Sequence, residues 1–158
     1  MYSLLLFGPL KLGILFSTVV WSPYTKRNTD KLERVQRRAT KFILKSDDPY
    51  DIRLKKLNLI SLEKRRSLTD VTFLYKVLNG NIDIDISGII EFHSEADRFS
   101  LRSTDFLTLK KKYAKTNILK YSFFHKIIDQ WNQLPLDIRV SNDVNIFKTR
   151  VKKFLGDF

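Results

Sequence analysis

A chain of 158 residues, 43% of them hydrophobic and with 12 Phe and 6 Tyr, is long enough to bury a core, and its 5 Gly and 4 Pro exclude a glycine- or proline-rich disordered chain. The 29 Lys and Arg against 17 Asp and Glu leave a net charge of +12, a field that draws polyanions, nucleic acid before anionic membrane. Cysteine is absent, which excludes disulfides, thiolate metal sites and a cysteine nucleophile; the two histidines, His93 and His125, lack ligand-spaced partners, so neither a metal site nor a cofactor is expected.

Residues 1–20 form a nearly uncharged apolar segment, with Leu4-Leu5-Leu6-Phe7, then 12–16, then Val19-Val20-Trp21 at its end. No basic residue precedes Leu4 and no small-x-small site precedes Trp21, which argues against a signal peptide. Pro9 and Lys11 interrupt the run, which argues against a membrane helix. A packing segment is the preferred reading, and an N-terminal membrane anchor on a small basic protein is the alternative. No Gly/Ser-rich linker follows, so residues 21–158 read as a single basic helical domain.

Pro23 favours a turn at Trp21-Ser22-Pro23-Tyr24, and a first helix is expected from Asp30, with Glu33 completing a capping box. Leu32, Val35, Ala39, Phe42 and Ile43 share one face at helical spacing, with basic residues opposite. Asp48 as cap and Pro49 as first residue predict a second helix, with Tyr50, Leu54 and Leu57 inward. After Asn58-Leu59-Ile60, Ser61 caps a third helix through Leu62, Leu68, Val71, Leu74, Tyr75 and Leu78, which Asn79-Gly80 stops. From 81 to 118 the alternation of Ile82, Ile84 and Ile86 with polar residues, and later Leu107 and Leu109, predict extended pieces in a long irregular segment. Phe123, Phe124, Ile127, Ile128 and Trp131 mark another helix, ended by Leu134-Pro135; Ser141 is expected to cap the last one, with Val144, Phe147, Val151, Phe154 and Leu155 inward. The fold class is therefore mainly α, an irregular bundle of four to five main helices. Its expected core is Leu32, Val35, Phe42, Leu54, Leu57, Leu62, Val71, Leu74, Phe124, Ile128, Trp131, Phe147 and Phe154.

Asp47-Asp48 is the only adjacent acidic pair, and its place before a proline suits helix capping better than the paired metal ions of a polymerase. No glycine-rich phosphate loop and no catalytic triad is recognisable, so no catalytic residue is assigned. Arg34, Arg37, Arg38, Lys41 and Lys45 form the best binding candidate, because cations at helical spacing track a phosphate backbone without reading its sequence. Lys64, Arg65 and Arg66 join them as a second cluster, and Lys110-Lys111-Lys112 is a weaker one. Trp21, Phe123, Phe124 and Trp131 suit core packing better than base stacking.

A series of short motifs goes further. Val20-Trp21-Ser22-Pro23-Tyr24 is followed by Leu32-Glu33-Arg34-Val35-Gln36-Arg37-Arg38-Ala39-Thr40, then by Tyr50, Arg53-Leu54, Leu57 and Leu59, and by Ser61-Leu62-Glu63-Lys64-Arg65-Arg66. Leu74-Tyr75-Lys76-Val77-Leu78-Asn79-Gly80, Ser122-Phe123-Phe124, Trp131-Asn132-Gln133-Leu134-Pro135 and Phe147-Lys148 complete it. In this order and spacing, from Val19 to Leu155, the chain resembles the region after the polymerase palm in non-LTR (LINE-type) retrotransposon reverse transcriptases of the jockey, CR1 and RTE kind. Residues before Val19 depart from that pattern. The resemblance implies a catalytically incomplete piece of an RNA-directed DNA polymerase, lacking palm, catalytic aspartates and endonuclease. It also implies RNA or DNA backbone and the polymerase core as partners, no small-molecule substrate, and an intracellular place in cytoplasm or nucleus.

Overall fold

The computed structural model describes residues 25–86, 88–93 and 105–156. The chain is mainly helical: α1 (Lys26–Leu44), α2 (Tyr50–Lys56), α3 (Leu62–Leu78), α4 (Asn117–Lys120), α5 (Phe123–Asn132), α6 (Leu136–Arg139) and α7 (Val144–Phe154). Five of these run seven residues or more, as the periodicity predicts; α4 and α6 are single turns that carry too few residues to show a period. The contacts divide the chain into two compact units, Met1–Thr69 and Asp70–Phe158, and the division falls inside α3. No composition change marks that point, so nothing in the sequence signals it. The apolar segment 1–20 lies outside the described residues.

In the first unit α1 begins four residues before the expected Asp30. Thr25 is its N-cap, in extended conformation and without a side-chain cap bond; its carbonyl accepts from Asn28 and Thr29 N–H. Glu33 does cap a helix, but not its own: its Oε2 accepts the Leu62 N–H at 3.1 Å, at the start of α3, and it also accepts the Tyr50 hydroxyl. Ser61 assists as expected, its Oγ accepting from Lys64 N–H at 3.3 Å. Pro49, not Asp48, is the N-cap of α2. Asn58 takes a left-handed φ of 50° after α2, with Asn58 N–H on Lys55 C=O and Leu59 N–H on Leu54 C=O, a Schellman ending with asparagine where glycine is commoner.

These bonds set the roll of α1, and they overturn its expected core face. Leu32, Val35 and Phe42 are 45%, 65% and 83% exposed, while Gln36 and Thr40 are buried. Gln36 Nε2 donates to Ile60 C=O at 2.9 Å, so the link before α3 is held by polar side chains that have partners waiting. A buried amide without a partner costs roughly 1–3 kcal/mol, comparable to burying one aliphatic side chain, and an unpartnered carboxylate costs more, so satisfied polar groups outcompete the apolar stripe here.

The second unit has a denser apolar core. Tyr75 stacks on Phe147 with centroids 4.2 Å apart, Trp131 lies 6.1 Å from the same ring, and Val71, Leu74, Ile127, Ile128 and Val151 of the same unit are all buried. The Tyr75 hydroxyl donates to Ser141 C=O. Ser141 is thus an interior residue, its own hydroxyl donating to Ile138 C=O at 2.7 Å, and Asp143 caps α7 instead, accepting from Asn145 and Ile146 N–H. Phe154, expected inside, is exposed at the last residue of α7, beyond the inward pair Phe147 and Val151. Leu57, Leu62 and Phe124 are half-buried rather than buried.

The irregular segment is where the sequence places it, but part of it is pinned. Leu109 is buried and forms an isolated antiparallel bridge with Phe92. The side chain of Asn132 clamps it: Leu109 N–H donates to Oδ1 at 2.9 Å and Nδ2 donates back to Leu109 C=O at 2.9 Å. Trp131 Nε1 donates to Leu107 C=O at 2.9 Å, and Arg139 pairs with Asp105.

Candidate nucleic-acid interface

The basic residues of α1 recur at alternating steps of four and three: Arg27, Lys31, Arg34, Arg38 and Lys41, with Lys45 following at the C-cap; all are exposed. On a helix this spacing makes two parallel rows, 27/34/41 and 31/38/45, with steps of about 10.5 Å along each row at 1.5 Å rise per residue. Arg34, Arg38, Lys41 and Lys45 thus lie together as expected. Arg27 and Lys31 extend the stripe. Sequence reasoning misses them because it starts the helix at Asp30; continuing the same steps backwards finds them. Asp47 borders the far end, pairing with Lys41, whose hydrogen bond and charge hold the Asp47 carboxyl below its usual range.

Arg37 leaves the stripe. Its guanidinium lies 5.1 Å from the centroid of the Tyr50 ring, with Arg53 at 5.9 Å, so both serve the packing of α1 on α2. The second expected cluster does not form one surface. Arg66 is buried, its Nε donating to Leu62 C=O at 3.1 Å, and this corrects its place among the surface contacts. Arg65 is half-buried near Glu33 and Tyr50, and burial lowers its pKa. Lys64 is half-buried. In the weaker cluster, Lys111 pairs with Asp129 at 2.5 Å and Lys112 with Glu91 at 2.8 Å, which neutralises both charges locally.

Asp47 and Asp48 serve neither as helix cap nor as a paired site: each turns to its own lysine, Lys41 and Lys56, the latter at 2.6 Å from Asp48. Asp48 is held acidic by Lys56 first and by the Ser46 hydroxyl second. His125 is buried with Nδ1 3.3 Å from Ser122 Oγ. Among the described residues no three His, Asp or Glu stand together as metal ligands, and no helix is long and apolar enough to cross a membrane.

No family model, curated protein or solved structure matches this chain.

Proposed function

We propose that the chain is a non-specific nucleic-acid-binding element that grips the phosphate backbone through α1, and that it is the post-palm piece of a non-LTR retrotransposon reverse transcriptase without polymerase activity of its own. The observation that carries the binding is the two-row cationic stripe at 27, 31, 34, 38, 41 and 45. The opposite side of the same helix is occupied by Gln36 and Thr40, buried in the first unit, so the stripe faces outward. The motif series from Val19 to Leu155 supports the placement in a reverse transcriptase. Phosphates carry no base code, so binding is nearly independent of sequence.

The test is the salt dependence of binding to duplex DNA. Neutralising about four phosphates gives a slope of log K against log salt near −3.6. The variant Arg27→Glu, Arg34→Glu, Arg38→Glu spares Lys41 and its pair with Asp47 and leaves the buried face of α1 intact. Three of the six stripe cations then remain, so at most three phosphates are neutralised and the slope becomes shallower than about −2.7. Unchanged helicity by circular dichroism together with an unchanged slope would reduce the stripe to solvated surface. Primer extension on an RNA template with Mg²⁺ checks the other half of the proposal; extension by the pure chain above background overturns it.

A further inference from the structure

The apolar face that α1 turns away from the core lies beside the cationic stripe. Residues three and four apart are neighbours on a helix surface. Lys31, Val35, Arg38, Phe42 and Lys45 follow one another at steps of four, three, four and three, so cation and apolar side chain alternate along one edge. Val35 is 65% and Phe42 83% exposed, although ordinary burial would have favoured turning both inward. In duplex DNA the base faces are stacked against one another, so along the backbone such an edge meets phosphates and no open base face for an aromatic ring. A single strand offers phosphates alternating with unpaired bases whose faces stack on aromatic rings.

We infer that α1 prefers single-stranded over duplex nucleic acid, with Arg38 and Lys45 on phosphates and Phe42 between them under a base. The inference rests on the backbone-binding reading above and adds the class of strand to it. An anionic bilayer also joins charge to an apolar phase, but the exposed apolar strip is narrow. From Leu32 through Val35 to Phe42 the helix rises ten steps, about 15 Å at 1.5 Å per residue, and basic residues border the strip along its length. A helix lying in a bilayer surface buries a broader face.

The experiment uses the full chain, labelled oligo(dT) and a duplex of equal length, at one salt concentration, read by fluorescence anisotropy. Phe42 is exposed, so Phe42→Ala keeps the fold. The expected result is tighter binding to oligo(dT) than to duplex, weakened about fivefold or more by Phe42→Ala with duplex affinity unchanged, and retained by Phe42→Trp. If Phe42→Ala lowers both affinities alike, or neither, the strand preference is wrong while the charge-reversal variant still decides the backbone-binding reading separately. If Phe42→Ala removes binding to vesicles of phosphatidylcholine and phosphatidylserine and leaves oligo(dT) unaffected, the face belongs to a membrane surface and the inference falls.

Discussion

Replacing Asn132 by Ala tests how the irregular segment is held. Its side chain satisfies both backbone groups of Leu109, a residue with only 1% of its surface exposed. The flanking bridge bonds do not use them: His93 N–H goes to Thr108 C=O and Lys110 N–H to Glu91 C=O. Truncation therefore strands a buried donor and a buried acceptor. Each stranded group costs about 1–3 kcal/mol, and partial entry of water brings the sum to roughly 2–4 kcal/mol. In urea the midpoint falls with an unchanged m-value. Hydrogen exchange at the Leu109 amide localises the effect, since that amide should lose protection before the helix amides of α5. Asn132→Asp separates geometry from size: it keeps the acceptor for Leu109 N–H and places a second acceptor against Leu109 C=O, so it destabilises as well. A stability change below about 0.5 kcal/mol with Leu109 still protected would refute the clamp.

Gly80 ends α3 at φ 69°, with its N–H on Val77 C=O and Asn81 N–H on Lys76 C=O. A Cβ there meets nothing within 4 Å, so Gly80→Ala should cost only the left-handed strain, about 1 kcal/mol, visible in thermal melts. Burial, and then the neighbouring Glu33, raise the pKa of Tyr50 above its ordinary 10.0, and burial raises Tyr75 as well. The unfolded chain then loses these protons first, so stability is intact below pH 10 and falls as pH rises beyond it. Denaturation at a series of alkaline pH values checks this, and Tyr50→Phe should flatten the fall.

Local grammar is legible in this sequence, and long-range polar pairing is not. Ser61, Asn79-Gly80 and Leu134-Pro135 mark helix ends because the backbone conformations they impose are their own. The aromatic face of α5 is legible because Ile127, Ile128 and Trp131 repeat at the helical period and are all buried. For α1 the same rule misplaces Leu32, Val35 and Phe42, because what turns the helix is a carboxylate 29 residues before the amide it caps. The spacing of Glu33 from Asp30 offers a nearer and equally good use for it. The stripe survives the error because its steps depend only on the helix, whereas Arg37 is lost from it to the Tyr50 ring and Arg66 is lost from the second cluster to the interior, partners that sequence separation conceals.

The bond from Tyr75 to Ser141 spans 66 residues of chain. On a ribosome adding about 5–20 residues per second, Tyr75 emerges roughly 3–13 s before its acceptor is made. Phe147, whose ring covers Tyr75, comes later still. For that interval the apolar side of α3 has no native cover, while Glu33, Tyr50 and Leu62 are already all present. Synthesis thus completes the set of groups that fixes α1 first and leaves the aromatic core exposed to chaperones and proteases for seconds.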